Sequence, residues 1–445
     1  YTYQDSRYRY MQGSGQGMPT GITEIDAASQ GLAVSGNSSR SVLTSILGRA
    51  FYSYKNRYLL TATIRRDGSS KFGSNYRYGN FPSVSVGWNI AEEDFVKNSV
   101  SWLDQLKLRG GYGVLGNQEI DNYQYVSVVT TGINYTAGKS GLIQGAFPKT
   151  FANPDIKWEE TAMTNVGIDF MALRNRLTLT ADWYVKNTKD ILLNVPIPIS
   201  TGGANDPIRN AGKIRNQGFE FNLGWNESLN KDLSYGVSFL GTYNKNEVVE
   251  MGAESQVITG GTIHGGTYTS RTLAGYPIGG FWLIPTDGYF NSTEEVQAHQ
   301  KDGVLIQPSA EPGDIRFKDT NNDGTINDED RVYCGSPFPK FTYSINGNIT
   351  YKNVDFSIGF QGVTGNKIYN ATKLELTDVT RGTNYLASTL DYWTPENQNA
   401  SSPRLIWTDP NRNARSESDR YLESGSYFRL RNLQVGYTLS TVWFH

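Results

Sequence analysis

Along most of this chain apolar and polar residues alternate one by one, in segments of about ten residues, the length that a tilted membrane strand needs. Leu177, Leu179, Ala181, Trp183 and Val185 share one face of an extended backbone, while Thr178, Thr180, Asp182, Tyr184 and Lys186 share the other. Phe219, Phe221, Leu223 and Trp225 are set against Glu220, Asn222, Gly224 and Asn226 in the same way. Val84, Val86, Trp88 and Ile90 oppose Ser83, Ser85, Gly87 and Asn89; Phe341, Tyr343, Ile345 and Ile349 oppose Thr342, Ser344, Asn346 and Asn348. Val354, Phe356, Ile358 and Phe360 continue the series. Roughly a dozen such segments, with almost no amphipathic helix between them, predict an all-β chain.

The connections alternate as well. Arg174-Asn175, Lys352-Asn353 and Glu227 to Lys231 read as tight or nearly tight hairpin turns, built from residues that tolerate turn geometry. Residues 246–338, rich in Gly, Thr, Asn and Asp, run far past the ~12–15 residues usual for a loop in a compact domain. Short turns at one end and long loops at the other predict an antiparallel transmembrane β-barrel whose long loops face outside. Tyr52, Tyr54, Tyr58, Tyr76 and Tyr78 stand at strand ends, where an interfacial aromatic girdle belongs. A soluble sandwich or propeller alternates too, but strands longer than the usual ~5–6 residues argue against it.

Composition sharpens this picture. The 445 residues hold 47 glycines, 28 tyrosines and 19 phenylalanines, a strand-forming mixture. Charged residues are 19% and the formal net charge is -2, which lacks the basic surface of a nucleic-acid partner. Mean hydropathy is -0.48, and no run approaches the ~20 apolar residues of a membrane helix. A barrel is compatible with that value because each strand shows lipid only every second residue. Cys334 is the single cysteine, so no internal disulfide can form.

Catalytic signatures are missing. Gly111-Tyr112-Gly113-Val114-Leu115-Gly116 spells G-x-G-x-x-G, but residues 117–125 are polar and turn-like where a dinucleotide site needs a helix, so these are read as strand and loop glycines. No Walker sequence, zinc-type spacing or nucleophile elbow occurs, and His264, His299 and His445 are isolated. The chain is therefore expected not to be an enzyme and to require no cofactor. One ligand-like constellation remains, Asp319 to Asp330. Oxygen ligands at Asp319, Asn321, Asp323 and Asp330, with Gly324 at the sixth position and the Thr325 carbonyl at the seventh, follow calcium-loop spacing. The twelfth residue is Asp rather than Glu and no EF-hand helices flank it. The expectation is a candidate Ca²⁺ site that orders the loop, set against a plain acidic tip held by Asx-turns.

Several ordered stretches resemble the SusC/RagA type of TonB-dependent outer-membrane transporter. Gly48-Arg49-Ala50, Arg57-Tyr58-Leu59-Leu60-Thr61-Ala62, Arg66-Asp67-Gly68-Ser69-Ser70-Lys71-Phe72-Gly73 and Phe81-Pro82-Ser83-Val84-Ser85-Val86-Gly87-Trp88 open the series. Leu106-Lys107-Leu108-Arg109 and Gly116-Asn117-Gln118 follow. Pro312-Gly313-Asp314-Ile315, Gly335-Ser336-Pro337-Phe338-Pro339-Lys340-Phe341, Tyr392-Trp393-Thr394-Pro395-Glu396-Asn397 and Tyr427-Phe428-Arg429-Leu430-Arg431-Asn432-Leu433 with Gly436-Tyr437-Thr438-Leu439 complete it. The resemblance implies part of a barrel of about 22 strands with a plugged lumen. It also implies a TonB complex reached through an N-terminal part, a SusD-like surface lipoprotein, and import of oligosaccharides or peptides across the outer membrane of a Gram-negative bacterium.

No plug-like region or TonB box is recognised, and the chain halts at Trp443-Phe444-His445, so an internal piece of such a barrel is expected. Residues 1–40 read as a loop or strand lead-in, 41–245 as strands with loops, 246–338 as a long extracellular region carrying the acidic loop, and 339–445 as further strands and loops. A passive porin or surface adhesin on a similar barrel is the alternative, and a secreted all-β glycan-processing enzyme the remote one. Tyr268, Tyr276, Phe281 and Trp282 offer ring faces suited to a pyranose, or simply pack a loop.

Overall fold

A computed structural model describes residues 1–136, 142–195, 197, 200, 205–252, 257–263 and 266–439. The strands that the alternation predicts form one sheet of 12. In chain order they are β1 (Thr2–Gln16), β2 (Gln30–Tyr54), β3 (Tyr58–Ser69), β4 (Tyr78–Asn89), β5 (Leu103–Asn117) and β6 (Glu159–Ala172). There follow β7 (Leu177–Lys189), β8 (Lys213–Ser228), β9 (Leu233–Glu250), β10 (Phe341–Tyr351), β11 (Val354–Thr364) and β12 (Tyr427–Tyr437). Each pairs antiparallel with the next, an up-and-down meander whose ends, β1 and β12, are not paired with each other among the described residues. The helices are short: α1 (Asp94–Lys97), α2 (Thr293–Ala298) and α3 (Ala371–Thr377). None is long and apolar enough to cross a membrane.

Register carries the apolar face from strand to strand. Trp183 stands opposite Phe219, Phe219 opposite Tyr243 and Tyr243 opposite Phe341, so one aromatic row crosses β7 to β10. A one-residue slip would turn every one of these rings to the other side, so the alternation excludes odd slips and the short turns select among the rest. At the short-turn end Tyr54 faces Tyr58 and Tyr58 faces Trp88, the last two rings stacked at 6.5 Å. Glu93, just before α1, accepts hydrogen bonds from the Tyr58 hydroxyl (2.7 Å) and the Trp88 indole (3.0 Å), and Arg57 pairs with it at 3.2 Å. Tyr76 and Tyr78 lie at the opposite, long-loop end.

Three boundaries differ from the sequence reading. Residues 1–40, read as a loop or strand lead-in, are mostly strand: β1 pairs with β2 from Ser45 back to Gln30, above the apolar band. Both faces are polar there, so periodicity alone could not show a strand. Strand β9 also continues to Glu250, still paired with β8, and the long segment spans 251–340 rather than 246–338. Glu227 and Ser228 likewise belong to β8, leaving Leu229 to Asp232 as the turn. The β4–β5 connection, at the short-turn end, is an exception to the alternation, since it holds a 3-10 turn at Ile90–Glu92 and then α1.

Side chains of the sheet face lipid or lumen, so the buried core lies in the long loops. Phe72, Phe81, Ile120, Ile156 and Trp158 pack the loops after β3, β5 and β7 onto the rim. A second core, Ile284, Ile315 and Phe317, and a third, Phe290, Val296 and Ala310, sit inside the segment between β9 and β10.

Candidate functional site

The polar face of the strands is a wall of paired charges. Arg109 of β5 reaches Asp169 of β6 (Nε–Oδ2 2.9 Å) and Asp182 of β7 (Nη2–Oδ2 2.8 Å), tying three strands together. Gly167 lies between Arg109 and Asp182 in register. A Cβ there would come within 2.3 Å of Asp182 Oδ1 and 3.0 Å of the Arg109 guanidinium, so a larger residue would make these side-chain ends shift. Beside it, Thr61, Ser85, Lys107, Arg109, Gly111 and Asn165 line a recess of about 240 Å³ in the wall. Those glycines include part of the G-x-G-x-x-G run, which lies inside β5 with no helix after it, as a strand reading requires. Charges spaced along a strand face are costly in hydrocarbon and inexpensive against water, so this face belongs to an aqueous lumen.

Above the barrel the described residues of segments 251–340 and 365–426 form one folded module. Arg404 donates from Nε and Nη2 to the two carboxylate oxygens of Asp314 at 2.7 and 3.0 Å. Asp314 is fully buried, and Asn413 Nδ2 donates to it as well. Asn411 donates to the Ile315 carbonyl (3.0 Å) and receives a bond from Gln307 Nε2 (2.8 Å). Ile284 exchanges backbone hydrogen bonds with Glu417 and Asp419, and Thr286 donates from N and Oγ1 to Asp419. Gly313, at φ +93°, lies against the Trp393 ring, where a Cβ would approach to 2.4 Å. Two motifs far apart in sequence thus make one joint.

The electrostatics follow the packing. The hydrogen bonds that Arg404 donates to the Asp314 carboxylate raise its pKa above the usual guanidinium value. Burial raises the Asp409 and Asp419 carboxyls, against the backbone amides that lower them. His299 packs on Phe290 (5.5 Å between ring centroids), and burial, then Arg316, lowers its pKa. Half-buried against an aromatic ring, this imidazole favours its neutral form. His264 and His445 lie outside the described residues.

The acidic loop folds back on its own amides. Asp319 accepts from the amides of Asp323 (3.1 Å) and Gly324 (2.8 Å), and Asn321 Oδ1 accepts from Asp323 N (3.0 Å). Asp323 accepts from Thr325 N and Oγ1, both at 2.8 Å, and from the side chains of Asn321 and Asn327; these bonds, Asn321 first, hold its carboxyl down at about 2. Gly324 takes the left-handed conformation, φ +93°, that the sixth position demands. Asp330 is fully buried and works separately, accepting from Thr320 N (2.7 Å) and Asn327 N (2.8 Å) in a capping box. Asp319, Asn321, Asp323 and Thr325 are thereby brought together. Among the described residues no group of three or more His, Cys, Asp or Glu side chains is gathered to hold a metal ion.

The loop aromatics pack against protein. Tyr276, Trp282 and Tyr333 form a cluster with centroid distances of 4.8, 5.2 and 6.0 Å. Arg271 and Arg331 both lie over the Tyr268 ring. Sequence reasoning missed the Arg109 bridge and the Asp314 joint. Arg109 carried a faint signal, a cation that shares its strand face with Lys107, with Asp169 and Asp182 on neighbouring strands; the Asp314 joint carried none, because its partners are remote in sequence.

Comparison with known proteins agrees with this architecture. The family model described as TonB dependent receptor-like, beta-barrel, matches residues 1–444. TonB-dependent receptor P3 of Formosa agariphila is 32% identical over 399 residues, covering 89% of this chain and 38% of that protein. TonB-dependent receptor SusC of Bacteroides thetaiotaomicron is 30% identical over 413 residues, covering 91% and 38%. The chain thus spans about two fifths of the length of these relatives. Among solved structures, that of the RagAB peptide transporter superposes with a TM-score of 0.81 at 24% identity, covering 99% of this chain and 46% of that one, a likeness of fold.

Proposed function

From the premise that this chain belongs to the TonB-dependent receptor-like β-barrel family, we propose that it forms part of the wall and the extracellular face of an energy-coupled outer-membrane importer. The carrying observation is the division of labour within single strands. Trp183, Phe219, Tyr243 and Phe341 present a lipid-compatible row, and Arg109, Asp169 and Asp182 line the opposite, aqueous face of the same sheet. A wall of this kind conducts solute past fixed charges, and the recess beside Arg109 gives a solute or a lumenal segment a place to lodge. Energy enters through a TonB complex engaged by other parts of the protein, and a SusD-like lipoprotein covers the extracellular module.

The solute class is oligosaccharide or peptide. The relative named SusC and the structure titled as a peptide transporter support testing both. The experiment measures uptake of labelled oligosaccharides and oligopeptides by cells producing the full-length protein, with TonB present or deleted. Uptake that requires TonB is the expected result. Uptake that persists without TonB makes the barrel a passive porin, and hydrolysis of a polysaccharide by the purified protein makes it an enzyme.

A further inference from the structure

Immediately above the aromatic row, the outward face of β7, β8 and β9 changes character. In register, Val185, Gln217 and Lys245 form the next row, then Asn187, Arg215 and Glu247, then Lys189, Lys213 and Glu250. Lys189, Lys213, Arg215 and Lys245 are exposed on three adjacent strands, which lie about 4.8 Å apart. Their facing carboxylates are Glu160, Glu247 and Glu250, in bridges of Lys189 to Glu160 (2.9 Å), Lys245 to Glu247 (2.7 Å) and Lys213 to Glu250. The lysine side chains remain 53–54% exposed, so these bridges are weak and readily exchanged for a stronger anion.

A cavity adjoins this patch. Strand β10 begins at Phe341, opposite Tyr243, while β9 runs on to Glu250. The space left beside β9 is a cavity of about 200 Å³ with apolar walls from Tyr243, Pro277, Phe338 and Pro339 and charges from Lys245, Lys340 and Glu247, the last already paired with Lys245. With Lys340 the region holds five cations against three carboxylates. Its height is set by the aromatic row below, which marks the edge of the hydrocarbon. A ligand here is therefore anionic, bears a ring that stacks on apolar walls, and carries acyl chains that continue down the lipid-facing strands.

We propose that this outward patch and cavity bind the phosphorylated sugar headgroup of an outer-leaflet glycolipid. Phosphate oxygens accept from ammonium and guanidinium groups with strong, charge-assisted hydrogen bonds. Basic residues at a membrane surface add attraction for anionic lipid. Tyr243 and Phe338 supply the ring faces. The inference rests on the outer-membrane reading above, and its test separates the two.

The full-length protein is reconstituted in phosphatidylcholine nanodiscs containing a small fraction of diphosphorylated lipid A, and retained lipid is counted by native mass spectrometry. Wild type retains lipid A, and Lys245→Glu with Lys340→Glu weakens retention by about tenfold or more. The milder Lys245→Gln with Lys340→Gln gives a smaller loss in the same direction and serves if the reversal does not assemble. Equal retention by wild type and both variants overturns the proposal, as does equal retention of dephosphorylated lipid A. Competition by millimolar inorganic phosphate, with lipid retained only through its phosphate and regardless of acyl chains, assigns the site to free phosphate and overturns the glycolipid. TonB-dependent uptake is measured on the same preparations in cells. Retention without such uptake leaves the site standing and removes the importer.

Discussion

Arg404 holds both carboxylate oxygens of Asp314 across 90 residues of chain, at 2.7 and 3.0 Å, and the carboxylate is wholly buried. One ion pair thus fastens the segment between β9 and β10 to the segment between β11 and β12. The core of the first segment is met from the second, since Asn413 accepts the Ile315 amide and the Arg415 guanidinium lies over the Phe317 ring.

Arg404→Ala leaves a buried, unpaired carboxylate and is expected to cost the module about 3–5 kcal/mol. Gly313→Ala acts on the same joint through φ and the Trp393 contact. Limited proteolysis should open segments 251–340 and 365–426 together, with the heat resistance of the barrel unchanged. Cleavage confined to one segment would show that the two fold separately.

In the lumen wall, Arg109→Ala leaves Asp169 and Asp182 on neighbouring strands without their shared cation. The three side chains are 22–27% exposed, so the expected loss is about 1–3 kcal/mol. Gly167→Ala should reproduce much of that loss by forcing the bridge apart. Uptake assays read the consequence, and an unaltered rate in both variants would place the solute path elsewhere.

Acid acts on the module through Asp409 and Asp419, whose carboxyls burial raises in the folded state. The folded form then keeps a proton that the unfolded chain releases at about 3.9. Their contribution to stability is fully present below that value and is lost as pH rises through the raised folded values. The module's unfolding midpoint, followed from pH 4 to pH 7, should therefore show a downward component with rising pH that Asp409→Asn and Asp419→Asn remove. Asp323, held at about 2, works in the opposite sense, since its share is present above the ordinary value and lost towards pH 2.

For the acidic loop we propose calcium as an ordering ion that draws Asp319, Asn321, Asp323 and the Thr325 carbonyl towards one point. Calcium should protect residues 319–330 from proteolysis, chelator should reverse this, and Asp319→Ala should abolish it. Protection that is the same with and without chelator would leave the Asx-turns as the whole explanation.

Alternation along Leu177 to Lys186 and Phe219 to Asn226 was enough to establish strands and their faces, because a side-chain period of two puts the apolar set on one side; the register, which a two-residue slip would change without turning a face, was decided by the pairing in the folded sheet. The same logic was silent at Thr2–Gln16, where both faces are polar, and at Asn246–Glu250, where adjacent valines and a register shift against β8 break the alternation. The acidic loop was legible as spacing, since its partners are a few residues apart. The joint of Asp314 with Arg404, the Arg109 bridge and the cavity beside β9 were decided by tertiary structure alone. Each depends on groups separated by tens of residues and on the register of intervening strands, and a buried charge is stable only where the fold delivers its partner.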